Sequence, residues 1–219
     1  KQYNIDSIKG YDFDSKNCII VVGALLEYFK ETQKRELKHL KMPRLIRDEQ
    51  FMYVDTNTRR NLEIETTMRD NSKYGSLLWV LDNTCTNGGS RMLRNWVRQP
   101  LQDKNQINTR LDMVEVFYQD ALIRADLKNT LSKIQDIERI VGKIAYGNLT
   151  PKDCIALAAS LSQTPDLKKI LLRSNNQNIH NLAEKLVDTS DIANLIFMTI
   201  KENPPAIMKD GGYIKKGFN

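Results

Sequence analysis

The sequence predicts a mainly α-helical fold, an irregular multi-helix domain with short β-hairpin additions. Three observations carry that prediction. Apolar residues recur at three- and four-residue spacing along most of the chain, capping residues stand at the heads of those stretches, and prolines or glycines stand at their ends. With 219 residues, 41% of them hydrophobic, the chain is long enough for one sizeable domain or two small ones.

Residues 1–17 are polar and irregular, with aromatic and acidic residues alternating in Tyr11-Asp12-Phe13-Asp14, and read as a linker. From Cys18 to Leu40 the residues Val22, Leu25, Leu26, Phe29, Leu37 and Leu40 recur at helical spacing, which predicts a long amphipathic helix stopped by Pro43. Arg44–Ile46 and Phe51–Val54 are short β-prone pieces. Asp55 or Thr56 then caps a helical turn reaching Asn61. Ser76–Leu81 is so uniformly apolar that its pattern fits strand or helix. Thr84 or Thr86 caps the next helix, with Met92, Leu93, Trp96 and Val97 facing inward and an end near Pro100.

Asp103 and Gln106 form a variant capping box for a helix with Ile107, Leu111, Val114 and Phe117 or Tyr118 on one side. Leu122, Leu127, Leu131 and Ile134 continue the helical pattern, followed by Ile137, Ile140, Val141 and Ile144. Thr150-Pro151 and Thr164-Pro165 each place a capping hydroxyl before a proline in the first turn. Ser174–Asn178 reads as a loop. Two more helices follow, one with Leu182 and Leu186 and one with Ile192, Leu195, Ile196 and Ile200. Asp210-Gly211-Gly212 predicts a hairpin turn between Ile207–Lys209 and Tyr213–Lys215.

Composition narrows the chemistry. No window approaches the ~20 consecutive apolar residues of a membrane helix, and the first residues carry no secretory signal. The three cysteines, Cys18, Cys85 and Cys154, are odd in number and far apart, which argues for reduced thiols and a cytoplasmic setting. The net charge of +6 is compatible with nucleic acid, yet the basic residues are interspersed with acidic ones, as on a solvated helix face.

Catalytic, cofactor and metal sites are not expected. The two histidines, His39 and His180, share no helical face with a second ligand. Gly88-Gly89-Ser90-Arg91 lacks the spacing of a nucleotide-binding P-loop, and its small residues suit a tight first turn. The candidate contact residues are basic. Arg91, Arg94 and Arg98 lie on one helix surface, and Arg59-Arg60 form an adjacent pair. Both groups suit either DNA phosphates or neighbouring carboxylates and missing domains.

Several strings together resemble the MutS family of DNA mismatch-repair proteins in its core, or lever-base, region. In order, they are Gly23–Lys34, Asp55–Ile64, Gly75–Asp82, Arg91–Leu101, Asp136–Ile140, Tyr146–Asn148, Asn203–Pro205 and Lys209–Ile214. The resemblance implies that residues 1–17 are the connector-to-core linker and 18–219 the helical core, ending where lever and clamp segments begin. A literal Phe29-Lys30-Glu31 lies in an apolar helix stripe and is not the family's mismatch wedge. The linker and core strings fit the mismatch-repair branch better than its MutS2-like relatives.

For the whole protein, the resemblance implies duplex DNA with mispairs as ligand, a homodimer, a MutL-type partner, and ATP with magnesium bound by a domain outside these residues. It also implies a cytoplasmic location, nucleoid-associated in a bacterium, and no membrane. The chain itself is then a scaffold linking mismatch recognition and the DNA clamp to the ATPase, without its own enzymatic activity. The alternative is a self-sufficient helical nucleic-acid-binding module using the basic helix faces.

Overall fold

A computed structural model of the chain describes residues 15–33, 40–43, 51–205 and 211–218. The chain divides into two compact units, Lys1–Glu49 and Gln50–Asn219. In the first, helix α1 spans Lys16–Gln33. Residues 34–39 of the helix expected to reach Leu40, His39 among them, lie outside the described residues, as does the β-prone piece Arg44–Ile46, and Leu40 itself is not helical.

The second unit opens with a capping motif. Asp55 accepts from the Asn57 and Thr58 amides at 2.9 and 3.0 Å, and helix α2 runs Thr56–Asn61. The ambiguous apolar stretch is helical: α3, Leu77–Leu81, starts on Ser76. Its first amides do not go unpaired, because Leu77 and Leu78 donate to the carbonyls of Glu63 and Ile64 at 3.0 and 2.9 Å. Ile64, Leu78 and Ser76 are buried together with these bonds.

Seven longer or similar helices follow at loop-separated intervals: α4 (Asn87–Arg98), α5 (Lys104–Gln119), α6 (Ala121–Leu131), α7 (Ile137–Tyr146), α8 (Pro151–Leu161), α9 (Thr164–Leu171) and α10 (Gln177–Glu184). Helix α11 (Ser190–Thr199) closes the series. Thr86, Asp103, Asp120, Asp136, Thr150 and Asn176 cap six of these, each accepting from the first-turn backbone. Thr150 forms a full capping box with Asp153. Thr164 does not cap: the chain leaves α8 through Ser162 and Gln163 in helical conformation, so Thr164 is already inside α9. Gln177 and Asn178, expected in a loop, belong to α10 because Asn176 caps them.

Leu171, Ile179 and Ala183 form a buried cluster, with Met113, Val116, Phe117, Leu127 and Leu186 packed around it. Helices α9 and α10 therefore meet α5 and α6. Helix α8 packs on α11 and on α7. On α8 and α11 the buried residues are small: Ala158 and Ala193 are 0% and 1% exposed, and Thr189 at the head of α11 donates to the Leu161 carbonyl at 3.3 Å. Ser160, also buried, donates to the Ala156 carbonyl at 2.7 Å and accepts from the Gln135 amide at 2.9 Å. Its hydroxyl thus fastens α8 to the link between α6 and α7, with no polar atom left over.

Several helices turn a different face inward from the one their largest residues suggest. On α5 the inner face is Met113, Val116 and Phe117, whereas Ile107, Leu111, Val114 and Tyr118 are exposed. On α6 it is Ile123 with Leu127 and Thr130, and Leu122 is 78% exposed. Of the four α4 residues expected to face inward, Met92 and Trp96 are exposed, and Leu93 and Val97 are half-buried.

Among the described residues the β structure reduces to two isolated antiparallel bridges, Phe51 with Leu101 and Ile200 with Ile214. In the second, Lys201 donates to the Tyr213 carbonyl and Lys215 to the Thr199 carbonyl, so Tyr213–Lys215 pairs with the end of α11. Ile207–Lys209, its expected partner, lies outside the described residues. Gly211 and Gly212 have φ of 62° and 68°, in the left-handed region that favours glycine, and Asp210, the first residue of the expected turn, lies outside the described residues. Among the described residues no helix is long and apolar enough to cross a membrane. Cys18, Cys85 and Cys154 are free thiols.

Lys143 of α7 holds Asp153 of the α8 cap at 2.7 and 2.8 Å. That pairing, with the Thr150 hydroxyl, draws the Asp153 carboxyl down from 3.8 to about 2. A depressed carboxyl stabilises the fold at pH above its unfolded value of 3.8, and the stabilisation disappears as pH falls through about 2. Lys143→Met is expected to lower stability near neutral pH by about 1 kcal/mol and to shift the acid-unfolding midpoint upward; acid titration followed by circular dichroism checks this. Ala158→Leu places extra volume at a fully buried site and is expected to destabilise by about 1–3 kcal/mol, read from urea unfolding.

Candidate functional site

Helix α4 carries the row of arginines, and its position follows from local chemistry. Thr86 Oγ1 accepts from the Gly89 amide at 3.0 Å, and a Cβ at Gly89 would stand 3.0 Å from that same hydroxyl. Glycine therefore allows the tight first turn.

From this start, Arg91 points toward α7. Its Nη1 and Nη2 donate to both oxygens of Asp136 at 2.9 and 2.7 Å, and Nη2 lies 2.5 Å from Glu138. This is the bidentate geometry that suits a planar guanidinium. Asp136 is also the N-cap of α7 and accepts from the Arg139 amide at 3.3 Å. The Arg91 guanidinium, ahead of its other partners, holds the Asp136 carboxyl below the ordinary carboxylate range. One side chain thus joins two helices and one cap.

Further along the helix, Arg94 and Arg98 reach the loop between α2 and α3. Arg98 Nε lies 2.8 Å and Arg94 Nε 3.8 Å from the two oxygens of Glu65. Glu65 is held in place by its neighbour: Ile64 is buried, and its amide and carbonyl bond to Arg59 and Leu78. Each arginine of the row keeps between 43% and 48% of its side chain exposed.

Arg59 and Arg60, in the last turn of α2, come to the same place. With Arg98 and Glu65 they line an open hollow completed by Thr56, Thr66 and Asn71. Arg59 makes one long contact, from Nη2 to Thr56 Oγ1 at 3.4 Å. Arg60 has no ion pair among the described residues. The structure thus divides the expected site residues in two: Arg59, Arg60, Arg94 and Arg98 gather around Glu65, and Arg91 is engaged separately by α7.

Sequence reasoning did not single out the carboxylates that engage the row. Asp136 and Glu138 lie within one of the family-like strings, but nothing in local spacing links them or Glu65 to α4. It also missed the stacking of the Arg110 guanidinium 4.0 Å from the Trp96 ring centroid, which covers a tryptophan expected to face the core.

Other polar clusters are internally satisfied. Asp82, at the end of α3, accepts from Lys73 at 2.6 Å, Thr84 at 2.6 Å and Ser90 at 2.9 Å, and Lys73 first among these holds it below the ordinary carboxylate range. His180 Nε2 lies 2.6 Å from the Ser174 carbonyl, which places the ring at the turn before α10. Among the described residues no three His, Cys, Asp or Glu side chains gather as a metal site would require.

The model of the family described as MutS domain III matches residues 57–216. The DNA mismatch repair protein MutS of Alkaliphilus oremlandii is 41% identical over 219 residues, all of this chain and 25% of that protein. MutS of Ruminiclostridium cellulolyticum is 42% identical over 213 residues, 97% of this chain and 24% of its own length. For MutS of Brevibacillus brevis the identity is 37% over 214 residues, again 24% of its length. The chain thus spans about a quarter of the relatives it matches. Their shared region coincides with the helices built above, and the chain belongs to the MutS domain III family.

Proposed function

We propose that this chain is the core scaffold of a DNA mismatch-repair protein, linking mismatch recognition and a DNA clamp to an ATPase carried by the longer polypeptide. The observation that supports this most is the packing of α5, α6, α9 and α10 on one another and of α8 on α7 and α11, two groups joined by the helical link from α8 to α9 and by the Ser160 hydroxyl, within the span that matches the family. Packed helices transmit a change of state as bodies that shift between discrete arrangements rather than deform smoothly. A module built this way suits a link between a site that senses DNA deformation and a site that turns over nucleotide.

The domain limits belong to the same proposal: a connector-to-core linker at 1–17 and the core at 18–219. So do the partners of the longer protein, which are mispaired duplex DNA, a second copy of itself and a MutL-type protein, with ATP and magnesium bound elsewhere in that polypeptide. A cytoplasmic location, on the nucleoid in a bacterium, fits these partners. On this reading Arg91 serves the scaffold internally, while Arg59, Arg60, Arg94 and Arg98 are positions for contact with DNA or another domain.

The competing reading, a self-sufficient nucleic-acid-binding module, asks phosphates to displace Asp136, Glu138 and Glu65 from Arg91, Arg94 and Arg98, which leaves it Arg59 and Arg60 alone as ready donors. That exchange gives up bonds of the same charge-assisted kind it creates. The purified 219-residue chain is expected to hydrolyse no ATP and to bind a mispaired duplex no more tightly than its matched counterpart. Nucleotide release assays and anisotropy titrations measure both. Steady ATP turnover, or a preference for the mispair of about tenfold or more, contradicts the scaffold reading.

A further inference from the structure

The hollow beside α2 holds more cationic donors than its own carboxylate can use. Arg59, Arg60 and Arg98 line it, and Glu65 is the one acidic residue among its lining. Glu65 is shared by Arg98 and Arg94. The guanidiniums of Arg59 and Arg60 are left with a single 3.4 Å contact between them among the described residues. Their backbone is not loose: Asp55 caps α2, Leu62 donates to the Thr58 carbonyl at 2.9 Å, and Ile64 donates to the Arg59 carbonyl at 3.1 Å. The facing loop holds Glu63 and Asn71 at φ of 47° and 53°, in the left-handed region that side chains seldom adopt. Forked donors on a fixed backbone are ready for a planar, two-oxygen acceptor.

The surroundings decide which acceptor. Tyr53, Leu62 and Met68 are 88%, 63% and 52% exposed, and each lies within three residues of a residue lining the hollow. Met52, 51% exposed, donates its amide to the Pro100 carbonyl at 2.7 Å, next to the end of α4 that carries Arg98. Arginine, tyrosine and methionine together are the composition of protein–protein contact surfaces. A surface that tracks a DNA backbone is instead dominated by charge and small polar donors.

We infer that this hollow docks a protein segment bearing carboxylates beside apolar side chains, with Arg59 and Arg60 receiving a carboxylate and Tyr53, Leu62 and Met68 covering the apolar part. Glu65 already engages Arg94 and Arg98, so that an entering acid meets the α2 pair.

The test uses the 219-residue chain and a short fluorescein-labelled peptide alternating Asp or Glu with Leu and Phe. A control peptide carries Asn and Gln at the acidic positions, and a matched duplex serves as competitor. The acidic peptide is expected to bind, to weaken as salt rises, and to bind more tightly than the amide control. Arg60→Glu, with unchanged helical circular dichroism, is expected to weaken it about tenfold or more. Arg59→Glu gives the same reading if Arg60→Glu fails to fold. Leu62→Ser is expected to weaken the peptide without altering duplex binding. The inference is overturned if the acidic peptide does not bind, if neither arginine variant changes its affinity, or if duplex DNA binds through these arginines and the peptide fails to displace it. None of these readouts involves ATP or a mispair, so this result stands or falls separately from the scaffold role.

Discussion

Close approach between helices at small side chains is the constraint on which the rest of the second unit depends. Where α8 meets α11 the buried residues are Ala158 and Ala193, and where α10 enters the cluster around Leu171 it does so through Ala183 beside Ile179. Alanine contributes little apolar area of its own. What it permits is contact between the larger neighbours and the backbones themselves, at the packing density of protein interiors. The same proximity makes every buried polar atom consequential, and Ser160 meets that demand by bonding within α8 and to the link before α7.

Charge then connects what packing leaves apart. Helix α4 has no buried residue of its own, yet Arg91 ties it to the cap of α7, and Arg94 and Arg98 tie it to Glu65. Ion pairs this exposed contribute modestly to stability. Their value lies in direction: a forked arginine specifies one orientation of its partner helix, as a greasy contact does not. A scaffold between distant sites needs defined relative positions, and α4 sits where two such connections meet. Arg59 and Arg60 extend the same electrostatic theme to a surface that has donors to spare.

Much of the fold was legible in the sequence because it is written in local chemistry. Asp55, Thr86, Asp103 and Thr150 each mark a helix start that needs only the next three residues to form. Facing was much less legible. Periodicity on α5 points to Leu111 and Val114 as readily as to Met113 and Val116, since both sets recur at helical spacing. Only the arrival of α9 and α10 chooses between them, and that is a tertiary event. Thr164 shows the same limit at a boundary, where the helical path through Ser162 and Gln163 overrides a capping signal. The arginines of the candidate site were legible as a row; their carboxylate partners were not, because pairing between distant segments leaves no trace in spacing. The family resemblance was carried by whole strings rather than single residues, and the matched span bears it out.

The central claim is that α5 to α11 behave as one cooperative body. Native-state hydrogen exchange at the amides of Ile179, Ala183, Ala158 and Ala193 tests it most directly, because these residues sample the Leu171 cluster and the α8–α11 contact separately. If the claim holds, all four exchange with one shared opening free energy that falls in parallel as denaturant rises. Exchange of Ala158 and Ala193 through a separate, much lower-energy opening would contradict it and leave two loosely joined helical pieces in place of a transmitting core.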